Sequence, residues 1–354
     1  MEELPESLIA DILSRLSIIS VIRCSCVCKS WRNLLLDSSF VGPHLGRSSQ
    51  ANPTLILYTL ASVGASNTKL YFVDHLDSDE PTFSELSFSI PDLHEYCVIA
   101  SCNGLLCLVN SRDVSEVCVY SPFLRQFIRL PSLVGDPGKA IVSAVGFGFS
   151  PRTKEYKVVA SVQNVACGNR YTALLVCTLT RGSWRCIGCS DAMGWRINFG
   201  TFVNGSLHWI GLFGGKYINA FDLADERFAE MRGPKTGGSY HLGALGGWLA
   251  ATHLSSKAHA DVWIMKEHGV EDSWVKSYSV SLNDIGWEPG FVQALCFNGK
   301  GEVLLLLNKR TLISYNPESN KLRLVTIGGL PFGFDAVTHV PSLVQLREDR
   351  KLSE

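Results

Sequence analysis

The chain has 354 residues, 46% of them hydrophobic and 18% charged, enough for one large domain or a small one joined to a large one. Its 32 Lys and Arg stand against 33 Asp and Glu, a formal net charge of -1 that gives no electrostatic footprint for nucleic acid or an anionic membrane surface. Mean hydropathy is only +0.14, and the longest aliphatic run, Val303 to Leu307, reads as a buried strand, far short of the roughly 20 residues of a membrane span.

The N-terminus, Met1-Glu2-Glu3-Leu4-Pro5-Glu6, has neither the basic nor the apolar region of a secretory signal, so a cytoplasmic or nuclear protein is expected. The 12 cysteines then remain thiols. Cys24, Cys26 and Cys28 alternate, and Cys107, Cys118 and Cys177 sit inside apolar, strand-like runs. Cys186-Ile187-Gly188-Cys189 has the spacing of a metal-binding pair, but no second pair completes it; no metal and no cofactor are expected.

Leu4, Leu8, Ile9, Ile12, Leu13 and Leu16 recur at helical spacing, with Pro5 suited to a first turn and Glu6 to the positive helix end. A second short helix is predicted over Ser20–Cys26, and a third carries Val27, Cys28, Trp31, Leu34 and Leu35 to an end near Asp37. Ile18, Ile19, Val21 and Ile22 add to an aliphatic surface larger than three short helices can hide from one another. The excess either packs on the rest of the chain or receives a partner's helix.

Three blocks in order, Leu4-Pro5-Glu6-Ser7-Leu8-Ile9, Ile12-Leu13-Ser14-Arg15-Leu16 and Cys26-Val27-Cys28-Lys29-Ser30-Trp31-Arg32, resemble the F-box of plant proteins over residues 3–40. Ser17 and Ile19 replace that family's usual Pro and Lys, and Cys24-Ser25 its Phe-Arg pair. The resemblance implies a three-helix unit over residues 1–41 in which Leu4, Pro5, Leu8, Ile9, Ile12, Leu13, Leu16, Val27, Cys28 and Trp31 contact a Skp-type adaptor, itself joined to a cullin scaffold.

Residues 42–53, with Gly42, Pro43, Gly46, Ser48, Ser49 and Pro53, read as a linker. Beyond it the periodicity becomes strand-like and repeats at about fifty residues. One unit is a strand, a polar turn and a large anchor, the anchors being Phe83, Phe127, Trp184, Phe228, Trp274 and Leu322. A second is a strand, a tight turn and a returning strand, at Asn103-Gly104, Asn204-Gly205, Gly246-Gly247 and Asn298-Gly299. Asn-Gly and Gly-Gly supply the positive φ angles of two-residue hairpins. Two hairpins per repeat make one four-stranded blade, so residues 54–346 are predicted to form a six-bladed β-propeller, with 347–354 a charged tail. A seventh blade between Phe127 and Trp184 would be cramped. The strand-like Ala336–Val340 is expected to close the ring on an early strand. Phe147-Gly148-Phe149-Ser150-Pro151, Tyr156-Lys157-Val158-Val159, Ala220-Phe221-Asp222-Leu223 and Val262-Trp263-Ile264-Met265-Lys266 resemble the kelch-like F-box-associated interaction domain of plant F-box proteins. The fold class is thus α+β multidomain: a small helical F-box followed by an all-β propeller.

In each blade both tight turns lie at one end, so the longer connections Cys189–Asn198, Arg232–His241 and Asn283–Gly290 share the other. Recognition residues favour such loops, and Trp195, Arg196, Tyr240, His241 and Trp287 are the candidate target contacts there. Trp195 or Trp287 plugging the central channel is the competing placement. The histidines show no metal or catalytic spacing, His208 reads as a satisfied core residue, and Asp222, Asp225 and Glu226 read as turn carboxylates. The resemblance implies a non-catalytic substrate-receptor subunit of a Skp–cullin–F-box ubiquitin ligase that recruits a protein target for degradation. The alternatives are an interaction scaffold without ligase function and a propeller enzyme.

Overall fold

The computed structural model describes residues 4–51, 53–59, 68–78, 81–86, 95–134, 140–164, 172–190, 198–211, 215–330 and 333–346. Four helices open the chain: α1 (Glu6–Ser14), α2 (Ile18–Cys24), α3 (Lys29–Leu36) and α4 (Ser38–Gln50). Pro5 stands at the N-cap of α1, one position ahead of the expected first turn. Ser17 caps α2, its side chain accepting the Ser20 amide at 3.5 Å.

The fourth helix corrects the reading of residues 42–53 as a linker and of the N-terminal unit as three helices. Pro43 lies inside α4 and removes one helical hydrogen bond. Tertiary contacts offset this cost. Asp37 caps the helix through the Ser39 amide at 2.8 Å, Phe40 and His44 are buried and stacked 5.6 Å apart, and Arg47 donates to Asp11 of α1 at 2.9 Å.

Six sheets follow. The first joins β1 (Thr54–Thr59), β2 (Leu70–Asp74) and β3 (Thr82–Leu86) to β25 (Phe334–His339), which lies innermost. The second is β4 (Tyr96–Cys102), β5 (Leu105–Asn110), β6 (Val117–Ser121) and β7 (Gln126–Arg129), and the third β8 (Ala140–Ser150), β9 (Glu155–Asn164), β10 (Thr172–Thr178) and β11 (Trp184–Ser190). Unanticipated from the sequence, β12 (Asn198–Phe199) adds to the inner edge of β8 in parallel. The fourth comprises β13 (Thr201–Val203), β14 (Ser206–Ile210), β15 (Tyr217–Asp222) and β16 (Arg227–Arg232), and the fifth β17 (His241–Leu245), β18 (Trp248–Ser256), β19 (His259–Met265) and β20 (Trp274–Ser281). The sixth comprises β21 (Val292–Phe297), β22 (Val303–Leu307), β23 (Thr311–Asn316) and β24 (Lys321–Val325).

All six anchors fall in the first two positions of an outermost strand, β3, β7, β11, β16, β20 or β24. Three of them show what the position does. The Trp184 indole donates to Pro131 O at 2.7 Å, the Trp274 indole donates to Arg232 O at 3.2 Å, and the Phe83 ring lies against Gly329. In each case the partner lies at or just past the end of the outer strand of the preceding blade, so the repeated large residue fastens blade to blade.

Closure follows the expected route: β25 pairs antiparallel with β1 from Thr54↔His339 to Thr59↔Phe334. The chain then lays residues 340–346 over the tight-turn end of the second blade. Ser342 donates to Asn103 O at 2.7 Å, Ser121 donates to Val344 O at 3.2 Å, and Gln345 donates to Leu36 O of α3 at 2.6 Å. Gly104, at φ +83°, is approached so closely by Ser342 that no Cβ fits there. The helices therefore share a core with the blades: Leu13, Val21, Leu35 and Phe40 form one cluster with Ile56, Leu106 and Leu343.

Deleting residues 335–354 is expected to abolish cooperative unfolding of the propeller, because it removes the inner strand of the first blade. Deleting 347–354 is expected to leave the thermal midpoint unchanged; calorimetry of both truncations tests this. Acid lability is a second outcome. Burial holds His208 down at about 4, with His268 a smaller cause, and holds His339 down at about 3. Stability from these neutral imidazoles is complete above the unfolded-state value of about 6.5 and is lost as pH falls below it, by about 2 kcal/mol for each at pH 5. The fall in melting temperature between pH 7 and pH 5 is therefore expected to shrink in His208→Gln and His339→Gln.

Candidate functional site

Two surfaces lack an internal use, and they lie on different parts of the molecule. On α1 the apolar stripe divides into two faces. Leu13 is 3% exposed and lies in the shared core, whereas Leu8 and Ile12 are 44% and 48% exposed. Leu4, just ahead of α1, and Leu16, just past it, are exposed as well and continue the four-residue interval, while Leu8 and Ile12 share the outer face of the helix itself. Val27, between α2 and α3, is exposed, as are Pro5 and Cys28. The Cys28 thiol sits at the N-cap of α3, 3.5 Å from the Trp31 amide. Ile9 and Trp31 are half-buried against the shared core. Leu13 is thus corrected from a partner contact to a fold residue, because the inward turn of α1 spends it on the propeller-facing side. Of the excess aliphatic surface, Ile18 and Val21 are buried against the rest of the chain, while Leu4, Leu8, Ile12 and Leu16 are left uncovered.

At the far end of the blades the structure separates the sequence candidates. Trp195 and Arg196 lie outside the described residues. Tyr240 is buried, and its hydroxyl donates to Gly215 O at 2.5 Å; it fills the fourth-to-fifth blade interface, which corrects its assignment as a surface contact. Closely packed Gly215 and Gly233 make the space it occupies. His241 keeps an exposed edge and packs on Phe291 with ring centroids 4.4 Å apart. Crowding by the channel wall, then the Lys309 ammonium, holds its imidazole below the ordinary histidine range, with Asp335 partly opposing. Trp287 is half-exposed, with the Arg310 guanidinium 5.0 Å above its ring, and it packs against the outer core of the last two blades instead of plugging the channel.

Phe291, Lys309 and Asp335 join His241 at this end of the channel and were not anticipated. Lys309 reaches Asp335 at 2.8 Å, and the Asn308 side chain accepts the Gly290 and Phe291 amides at 2.9 and 3.0 Å, holding the start of β21. The one available signal was Asn308-Lys309 after the Val303–Leu307 strand, where both residues adopt positive φ.

The remaining polar groups are accounted for by the fold. His208 is buried, its Nδ1–H donating to Thr201 O at 3.2 Å and its Nε2 accepting from His268 at 3.1 Å. Asp222 accepts the Ala224 and Asp225 amides at 2.8 and 2.6 Å, Asp225 pairs with Arg152, and Glu226 pairs with Arg185 and, at 2.8 Å, with Lys157. Among the described residues no three His, Cys, Asp or Glu side chains converge as metal ligands, and no helix is long and apolar enough to cross a membrane.

Comparison with known proteins matches this division of the chain. Residues 1–41 match the F-box domain, and residues 57–343 match the F-box associated beta propeller domain. An F-box protein of Arabidopsis thaliana is 31% identical, the alignment covering 97% of this chain and 92% of that protein. The F-box protein CPR1 of the same plant is 29% identical over 97% of this chain and 89% of its own. An F-box/kelch-repeat protein, also from Arabidopsis thaliana, is 27% identical over 96% and 95%.

The two faces of α1 are expected to respond differently to truncation. Leu8→Ala with Ile12→Ala is expected to leave the melting temperature nearly unchanged and to weaken binding of a Skp-type adaptor about a hundredfold. Leu13→Ala is expected to cost about 2–5 kcal/mol of stability, as buried leucine truncations do. Thermal denaturation and titration against purified adaptor measure both.

Proposed function

The chain belongs to the plant F-box proteins that carry a C-terminal F-box associated β-propeller, and from that premise we propose that it is the substrate receptor of a Skp–cullin–F-box ubiquitin ligase. The observation that carries this reading is the uncovered Leu4-Leu8-Ile12-Leu16 row beside a Leu13 committed to the core. Apolar side chains left in water on and beside a helix whose other face is packed suit a partner's groove. In this reading the Skp-type adaptor takes that row together with Pro5, Val27 and Cys28, and the adaptor joins a cullin.

The receptor makes and breaks no covalent bond. It raises the effective concentration of a protein target beside the ubiquitin-transferring subunits, and transfer takes place on them. The target docks on the loop end of the propeller, with His241 and Trp287 as contacts. Marking a protein for the proteasome in this way places the receptor in the cytoplasm or nucleus.

Affinity capture from plant cells with the proteasome inhibited tests the proposal. Wild-type chain is expected to recover adaptor, cullin and ubiquitinated proteins. The Leu8→Ala/Ile12→Ala variant is expected to keep the captured proteins but lose adaptor, cullin and the ubiquitin on them. Captured proteins carrying equal ubiquitin with both chains would instead make this a scaffold without ligase function.

A further inference from the structure

The central channel widens at both mouths, to about 340 Å³ at the tight-turn end and about 360 Å³ at the loop end. At its tight-turn mouth, Ser48, Ser49 and Ala51 at the end of α4 line the same space as the inner-strand ends Asn103 and Val340. Midway it narrows to a throat of about 130 Å³ walled by Ser101, Thr201, Gly243 and Gln293. Beyond the throat it widens into a cavity of about 360 Å³ at the loop end, a size typical of ligand pockets (~300–1,000 Å³).

The walls of that cavity are aromatic and its charges cancel. Tyr58, Phe199, His241 and Phe291 contribute rings. Lys309 is neutralised by Asp335 at 2.8 Å, and Asp335 also holds the Tyr58 hydroxyl. The Gln293 side chain makes no hydrogen bond among the described residues and lines both cavity and throat, so its two N–H donors and its carbonyl oxygen remain on offer. Phe199 stands 41% exposed at the rim, and Trp287 lies half-exposed at the same end. A small molecule held inside the cavity would not cover this outer apolar surface, whereas a protein turn that fills the cavity and spreads over the rim would.

We propose that the loop-end cavity is the specificity pocket of the receptor and accepts a neutral aromatic side chain with a polar tip, Tyr or Trp, from the apex of a turn on the target protein. An aromatic ring gains most from ring-lined walls, and its O–H or N–H meets the free Gln293 amide. A charged side chain gains nothing where Lys309 and Asp335 already satisfy each other. This inference rests on the receptor reading above and names the chemistry of its target.

The full chain, screened against a displayed library of turn-constrained peptides with a randomised apex, tests it. Tyr or Trp is expected to be enriched at the apex at least tenfold over charged residues. The selected peptide is expected to bind at least tenfold more weakly to Phe199→Ala and to Gln293→Ala, and not to bind Gln293→Trp, which fills the throat side of the cavity. Melting temperature and adaptor co-purification, measured on the same preparations, confirm that each variant is folded. Enrichment of charged apices, no enrichment, or undiminished binding to Gln293→Trp overturns the proposal. So does protection of the cavity by N-acetyl-tryptophanamide with no displayed peptide selected, since that outcome assigns it to small molecules. Loss of adaptor binding by the wild-type chain sinks the receptor reading instead, whatever the peptides do.

Discussion

A ring of sheets made from one chain must be closed by a strand from the other end of that chain, and most of this architecture follows from how closure is done. Here β25 is laid on β1 over six residue pairs. Without it the first blade would present an unpaired row of N–H and C=O groups to the channel. Because β25 is the inner strand and β1 its antiparallel neighbour, the chain enters the propeller and leaves it at one end, the end of the tight turns. The helices arriving through α4 and the segment departing after His339 are therefore neighbours by topology. Gln345 bonding to Leu36 and Leu343 joining the Leu13 cluster make use of that proximity.

The same closure explains how so small a helical unit is stable. Leu13, Ile18, Val21, Leu35 and Phe40 are buried, each contributing about 1.5–3 kcal/mol if fully removed from water. About forty residues alone are at the limit of independent folding, and here part of the burying surface comes from Ile56, Phe72 and Tyr120 of the blades. The joint is therefore packed, with α4 continuing almost to β1. That matters for the proposed receptor role: effective concentration falls with the length and freedom of a flexible tether, whereas a packed joint holds the loop end of the propeller at a set position relative to α1.

How much of this was legible in the sequence depended on whether a residue's role was local. The positive φ angles of Asn103, Asn204, Gly246 and Gly247 are properties of two-residue turns, so the hairpins were readable, and with them the blade count. The anchors were readable because Trp184 and Trp274 do the same job in the third and fifth blades. Roles set by distant partners were hidden. Gly42, Pro43 and Gly46 argue locally against a helix, and only Phe40, His44 and the Arg47–Asp11 pair reverse that. Ile12 and Leu13 are adjacent and both aliphatic, and periodicity does not say which side of α1 meets the blades. Tyr240 looked like a loop aromatic until Gly215 and Gly233 closed around it. The cavity at the channel mouth draws residues from all six blades, a juxtaposition no single stretch of sequence contains.

The division of labour between the two ends of the ring rests on how their polar side chains are spent. At the tight-turn end, Asp222 accepts the Ala224 and Asp225 amides, Asn316 those of Glu318 and Ser319, and Asn298 those of Lys300 and Glu302. Lys157 is buried on Leu223 O and Glu226. Each of these groups has traded water for a backbone or an ion-pair partner, so a target docking there would have to break one bond to make another, with little net gain. At the loop end Asn308 and the Lys309–Asp335 pair are committed in the same way, but Gln293, Phe199 and the outer part of Trp287 are not. Side chains that serve the fold hold that end in place, and those left over have free hydrogen-bonding capacity or uncovered apolar area. Binding energy comes from groups not already satisfied, and it is on such groups at the loop end, Gln293 and Phe199, that the proposed target site is built.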